Sequence, residues 1–244
     1  MQLTNNTILI TGATSGIGYA FMEEFVKLGN KVIVCARRED RLKKIKEKHP
    51  GVITKICDAA NTKQREELIG WLLQNYPDVN VLINNAGIQL ANDLTHPLNP
   101  DRIRDEMEIN FIAPAHLATM LAQHFAGKKE SAIINITSGL SFVPMARVPV
   151  YCASKAAFHS LTLSLRYQLR NTPVKVFEII PPSVDSELGH ENRKDPNQSH
   201  GGMALSEFIQ EAIPALKNDI LEAPIGQAKN IREKGEEIFA RMNP

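Results

Sequence analysis

The stretch Thr7-Ile8-Leu9-Ile10-Thr11-Gly12-Ala13-Thr14-Ser15-Gly16-Ile17-Gly18 decides the fold. Its first residues, Thr7–Ile10, form an unbroken apolar, β-branched run, as in a strand buried on both faces. The run enters a glycine-rich turn, and Gly16–Leu28 then reads as an amphipathic helix. A tight turn feeding a helix N-terminus offers free backbone N–H groups to an anion, and the helix dipole reinforces them. Gly12 permits the turn, Gly16 lets a pyrophosphate approach the backbone, and Gly18 lets helix and strand pack closely. The spacing is G-x-x-x-G-x-G, not G-x-G-x-x-G. Alone, it fits a ligand-free strand–helix turn as well as a nucleotide site.

Outward from this loop, strand-like runs recur at Lys31–Cys35, Val52–Ile56, Val81–Ile83, Ala132–Ile136 and Val174–Ile180. Between them lie helix candidates at Arg38–Lys48, Lys63–Asn75, Asp101–Phe125 and Val150–Asn171. This alternation predicts an α/β fold, a Rossmann-type doubly wound parallel sheet of six or seven strands with helices on both faces. No repeat, low-complexity tract or linker interrupts it, so residues 1–244 read as a single domain. Glu187–Ala204 is polar and irregular, and a segment of that length is a substrate lid or a disordered loop. Beyond it, Ser206–Lys217 fits a helix, Asp219–Glu222 a short edge strand and Gly226–Met242 a last helix.

The bulk numbers narrow the function classes. A chain of 244 residues with 43% apolar and 23% charged content can bury a large core without disulfides or metals. A net charge of +1 argues against nucleic acid or an anionic membrane as partner. The basic run Lys43-Lys44-Ile45-Lys46 is interleaved with Glu39, Asp40 and Glu47 and reads as a solvated helix face. Cys35, Cys57 and Cys152 are odd in number and form no C-x-x-C pair, which fits reduced thiols. Six residues before the first strand leave no room for a signal peptide, and no apolar run approaches the ~18–20 residues of a membrane span. A cytoplasmic place is expected. The histidines are scattered without metal-ligand spacing, so no metal site is expected.

Further motifs follow in order. Asn84-Asn85-Ala86-Gly87 comes after the fourth strand, Asn110 lies in a long helix, and Ser138 follows the fifth strand. Then come Tyr151-Cys152-Ala153-Ser154-Lys155 and Pro181-Pro182-Ser183-Val184-Asp185-Ser186. Together with the glycine loop, this set resembles the short-chain dehydrogenase/reductase superfamily, in its single-domain branch, from Thr7 to about Ser186. Within it, the Pro-Pro-x-Val-Asp-Ser run and the ending Glu237-Ile238-Phe239-Ala240-Arg241-Met242-Asn243 look most like bacterial oxidoreductases linked with D-alanine esterification of teichoic acids. The resemblance implies hydride transfer between a nicotinamide and a carbonyl or alcohol carbon of a small molecule. It also implies a homodimer or homotetramer joined through the two long helices.

Tyr151 and Lys155 are four residues apart and share a helix face. A phenol of pKa ~10 is a poor base, but a neighbouring ammonium stabilises phenolate. A tyrosine so tuned can give a proton to a nascent alkoxide or take one in reverse. Ser138 offers a hydroxyl to hold the substrate oxygen beside it. The resemblance implies that Lys155 also holds the nicotinamide ribose, that Asn110 binds a relay water behind it, and that Asn85, Ala86 and Gly87 contact the cofactor. It implies Asp58 and Ala59 at the adenine, Thr14, Ser15 and Ile17 at the loop, and Pro181, Val184 and Ser186 along the nicotinamide side. A sensor on this scaffold would have a damaged tetrad, and a dehalogenase-like lyase a spoiled glycine loop; both are intact here.

In relatives that prefer NADH the second strand ends in an acid. Here Ala36 holds that place and Arg37 and Arg38 follow. A guanidinium fork matches a ribose 2′-phosphate, so NADPH/NADP is expected over NADH, with Arg37 the main contact. Pro182 departs from the usual Pro-Gly, fixing φ and removing an N–H. The run Leu140, Phe142, Val143, Pro144, Met145 and Val148 could line a substrate pocket or serve as packing.

Overall fold

The computed structural model describes residues 1–189, 199 and 201–243. Strand β1 (Thr7–Thr11) is buried at every position, and its side chains divide by parity. Ile8 and Ile10 join a core with Phe21, Phe25, Phe177 and Phe208, while Leu9 joins a second core with Leu72, Leu121, Phe125 and Ile133. Strand β2 (Lys31–Ala36) repeats the division, Val32 and Val34 against Ile33 and Cys35. Two apolar faces at period two are the physical reason the strands read as continuous apolar runs.

With β3 (Ile53–Ile56), β4 (Val81–Asn84), β5 (Ser131–Ile136), β6 (Val174–Ile180) and β7 (Glu222–Pro224), the sheet has seven parallel strands in the order β3-β2-β1-β4-β5-β6-β7. Helices α1 (Gly16–Lys27), α2 (Glu39–Lys48) and α7 (Leu205–Lys217) pack on one face. Helices α3 (Thr62–Asn75), α5 (Ala113–Ala126) and α6 (Pro149–Gln168) pack on the other. The strand order reverses between β1 and β4, and the crevice beyond their carboxyl ends is where ligands bind in such sheets. No helix among the described residues is long and apolar enough to cross a membrane.

Three segments differ from the sequence-based expectation. The helix expected over Asp101–Phe125 is α4 (Pro100–Met107), a π-helical turn at Glu108–Ile112, then α5. Pro114 lacks the N–H that would bond the Asn110 carbonyl in an α ladder, and the Ala113 N–H reaches back five residues to Glu108 O. The last helix breaks at Gly235, φ +57°, into α8 (Ala228–Lys234), a 3-10 turn (Gly235–Ile238) and α9 (Phe239–Met242). The edge strand begins at Glu222 because Asp219, φ +55°, turns the chain first. The segment 187–204, read as a lid, lies outside the described residues at 190–198 and 200. Its flanks meet, with Met203 N donating to Ser183 O at 2.9 Å and Asp185 N to Met203 O at 2.9 Å.

Candidate active site

The loop between β1 and α1 is built around two glycines. Gly12 has φ +66°, and a Cβ there would sit 2.7 Å from the Ala86 Cα. A Cβ at Gly18 would sit 2.3 Å from Asn85 Nδ2. These approaches let the strand ends lock together. Thr11 Oγ1 accepts from the backbone N–H of Asn85 (3.0 Å) and of Ala86 (3.1 Å), and Asn85 Nδ2 donates to Thr11 O (2.9 Å) and Gly12 O (3.1 Å). The first turn of α1 has no side-chain cap and no acid, so its N–H groups are left for an anion.

A cavity of ≈ 600 Å³ runs along this loop. Its lining includes Gly12, Thr14, Ser15, Gly16 and Ile17 of the loop, Arg37 and Arg38, and Asp58, Ala59, Asn85, Ala86, Gly87 and Ser186. Gly18 lies under Asn85. Arg38 lies across the loop, donating to Thr14 Oγ1 (2.9 Å) and Ser15 Oγ (3.1 Å), and it shares Glu187 with Arg41. Arg37 is exposed and makes no hydrogen bond or ion pair among the described residues. Asp58 accepts from Ala60 N at 3.0 Å, shaping the turn before α3. Beneath it Arg65, 1% exposed, donates to Ala59 O, Glu108 Oε1, Thr62 Oγ1 and His116 Nδ1.

A second cavity, ≈ 990 Å³, opens beside the first and holds Ser138, Tyr151 and Lys155, with Pro181 and Val184 in its wall. Tyr151 and Lys155 start α6 and point inward, each 4% exposed. The Lys155 Nζ donates to Ile136 O at 2.9 Å and lies 5.8 Å from the Tyr151 ring centroid. Asn110, wholly buried in the π turn, accepts from Ile88 N (2.9 Å) and donates to Ile88 O (2.9 Å) and Ser154 Oγ (3.0 Å). Its amide thereby ties the segment after β4 to α6. A Cβ at Gly87 would lie 3.2 Å from Asn110 Oδ1 and 3.8 Å from Lys155 Nζ, so both polar groups border one spot.

Burial pushes the Tyr151 phenol well above its usual value, the Ser138 hydroxyl pulls it back, and Cys152 and Glu106 push it up further. Burial acts on Lys155 too and lowers it to about 8. Burial thus holds the phenol as a neutral acid.

Nothing in the sequence marks Glu106, which sits there among ordinary helix acids. It is wholly buried on α4, accepts from Leu90 N at 3.0 Å, and leaves Oε2 without a partner among the described residues. Burial raises it to about 7, against the Leu90 N–H and Arg102, which lower it. A folded-state value above the unfolded one means the fold holds a proton that the unfolded chain releases. Stability therefore falls as pH rises from about 4.5 to about 7, and the whole penalty is present above that window. Glu106→Gln is expected to stabilise the protein at pH 8 by about 2 kcal/mol and hardly at all at pH 4.5. Urea unfolding at both values checks this; equal shifts would refute it.

The run after Ser138 serves both roles. Leu140, Met145 and Val148 line the larger cavity. Val143 is buried away from it, and Phe142 packs on the His159 ring at 4.7 Å and the Arg232 guanidinium at 4.7 Å. The opposite wall comes from the C-terminal segment through Gln227, Asn230, Ile231, Ile238, Arg241 and Met242. Sequence reading missed these residues, since only the fold brings them to the tyrosine. It also missed His159, Glu178 and Glu222, whose donor atoms lie within 4.8 Å of one another on α6, β6 and β7. Spacing along one segment could not show that group. Its donors are engaged already: His159 Nδ1 with Glu178 at 2.9 Å, Thr137 Oγ1 with Glu178 at 2.7 Å, and Arg232 with Glu222 at 2.8 Å. Cys35, Cys57 and Cys152 are free and buried.

Comparisons with known proteins agree with this geometry. The family model of the short chain dehydrogenases matches residues 6–197. The oxidoreductase DltE of Bacillus subtilis is 42% identical over 100% of this chain and 98% of its own length. The NADP-dependent 3-hydroxy acid dehydrogenase YdfG of Salmonella typhi is 32% identical over 72% of each chain. Among solved structures, a short chain dehydrogenase from Burkholderia cenocepacia in complex with NADP has a TM-score of 0.83 at 24% identity, covering 96% of this chain and 94% of its own. One from Burkholderia phymatum in complex with NAD has a TM-score of 0.85 at 22% identity, covering 100% and 97%. The matched stretch contains the glycine loop, Ser138, Tyr151 and Lys155, and the chain belongs to the short chain dehydrogenase/reductase family of oxidoreductases.

Proposed function

We propose that the protein is an NADP(H)-dependent carbonyl reductase or alcohol dehydrogenase acting on a small molecule, with residues 1–244 as one catalytic domain. The observation that carries this reading is the convergence of Ser138, Tyr151 and Lys155 in a cavity that adjoins an uncapped helix N-terminus. The donor set fits a dinucleotide: free N–H groups of α1 for the pyrophosphate, Asp58 and Ala59 at the adenine end, and Lys155 and Gly87 at the nicotinamide end. When bound, a reduced nicotinamide supplies hydride to the carbonyl carbon. Ser138 holds the carbonyl oxygen, and the neutral phenol of Tyr151 donates the proton as negative charge develops there. Lys155, charged below about 8, stabilises the phenolate left behind. Asn110 keeps Ile88 and Ser154 in place around it.

Oxidation of NADPH and NADH against ketones, aldehydes and cyclic diketones tests this reading. Turnover with NADPH and weak turnover with NADH is the expected result; no turnover of any carbonyl compound would overturn it. Arg37, unpaired at the adenosine end, meets the 2′-phosphate, helped by Arg38. Arg37→Gln is expected to lower kcat/KM for NADPH about tenfold and leave NADH nearly as before, since a charge-assisted hydrogen bond contributes about 1.5–3 kcal/mol. A parallel fall for both cofactors would place the 2′-phosphate elsewhere. Ile112 (44% exposed), Leu163 (42%) and Tyr167 (67%) lie on the outer side of the π turn and α6. They support a homodimer or homotetramer, which light scattering measures.

A further inference from the structure

The larger cavity carries charge of one sign. Its charged lining residues are Lys155, Arg147 and Arg241, and among the described residues no aspartate or glutamate lines it. Lys155 sits at the bottom beside Tyr151. Arg147 and Arg241 are exposed side chains belonging to two distant parts of the sequence. Among the described residues, five arginines have an acid within ion-pair distance: Arg38 and Arg41 have Glu187, Arg65 has Glu108, Arg104 has Asp101 and Arg232 has Glu222. Arg147 has only the Met145 sulfur, at 3.1 Å, and Arg241 has no side-chain bond among the described residues.

The convergence of the two arginines is built into the fold. Asn243, two residues after Arg241, accepts from Ala146 N at 2.6 Å and donates to Pro144 O at 3.0 Å. It thus clamps the C-terminal segment to the loop that carries Arg147. On the same side α8 is docked on the turn after Ser138, where a Cβ at Gly139 would lie 3.2 Å from Ile231 Cδ1. Two unpaired guanidinium groups held in the wall of one cavity form a receptor for an anion.

We propose that Arg147 and Arg241 recognise an anionic group, a carboxylate or a phosphate, on the substrate whose carbonyl lies at Ser138 and Tyr151. This rests on the reductase reading above and adds the substrate's chemical class. Gln227 and Asn230, neutral amides on the same wall, supply further donors to its oxygens.

The test uses NADPH-bound protein and two matched pairs: acetoacetate with methyl acetoacetate, and dihydroxyacetone phosphate with dihydroxyacetone. In the parent protein, kcat/KM is expected to favour the charged member of at least one pair about tenfold or more, through KM. The pair with the larger preference distinguishes carboxylate from phosphate. Arg147→Gln and Arg241→Gln are each expected to reduce that preference about tenfold, and Arg147→Lys and Arg241→Lys to keep part of it, with NADPH affinity constant. Equal efficiency within both pairs, or a preference that survives the double Gln variant, would overturn the proposal. If no carbonyl compound is reduced, the reductase reading has failed, and calorimetry reads the anion site alone. 3-Hydroxybutyrate and glycerol 3-phosphate do not react with the reduced-cofactor complex. Saturable binding of either that is lost in the double variant supports the site; no binding to the parent protein overturns it.

Discussion

Tyr151→Phe is expected to slow carbonyl reduction about 10²–10⁴-fold while NADPH binds about as tightly as before, because the change removes one proton-donating group and nothing else. The ring is 4% exposed and packed among Val148, Cys152, Leu140 and Met145, so phenylalanine fills the same space and the fold is kept. The hydroxyl is the group that is lost, and the structure holds that hydroxyl protonated: burial raises the phenol, and Ser138 only partly offsets it. Single-turnover rates with NADPH, alongside cofactor titration, separate the two effects. Turnover equal to the parent would remove Tyr151 from the chemistry.

Gly12→Ala is expected to destabilise the protein by about 3 kcal/mol or more and to abolish cofactor binding. Two costs combine. At φ +66° an L side chain costs about 1–2 kcal/mol. The new methyl would also lie 2.7 Å from the Ala86 Cα, and overpacking of this kind costs about 1–3 kcal/mol. The neighbour is backbone pinned by Thr11 Oγ1, so it has little room to yield. Gly29 supplies the control, with φ +78° and nothing within 4 Å of a methyl added there. Gly29→Ala bears the conformational cost only. Melting temperatures are expected to fall about 6–12 °C for Gly12→Ala and markedly less for Gly29→Ala. Equal falls would show that the contact with Ala86 is soft.

What could be read in advance was local. The glycine loop and the Tyr151–Lys155 pair declare themselves because their chemistry depends on neighbours within one turn of chain. The unbroken apolar run Thr7–Ile10 likewise pointed to a sheet covered on both faces. Asn110 could be named but not its surroundings, since the π turn depends on Pro114 withholding one N–H. Glu106 was hidden because a helix acid becomes unusual only when packing buries it. Arg38 shows the same limit: the pair Arg37-Arg38 is visible in sequence, but Glu187, which engages the second arginine, arrives from a distant part of the chain. Arg147 and Arg241 come to one cavity through the Asn243 clamp, and no periodicity foreshadows that clamp.

The π turn also sets what this stretch tolerates in length as opposed to composition. Ile112 is 44% exposed, so swapping its side chain disturbs little packing. Deleting one residue from Glu108–Ile112 is another matter. A π turn seats one residue more than an α turn, so the shortened chain closes as an α turn with α4 and α5 near their present orientation, and the deletion acts on Asn110 and its bonds to Ile88 and Ser154 instead. Substitution scanning would therefore mark Ile112 as permissive, and the buried Asn110 and the Arg65-bound Glu108 as closed.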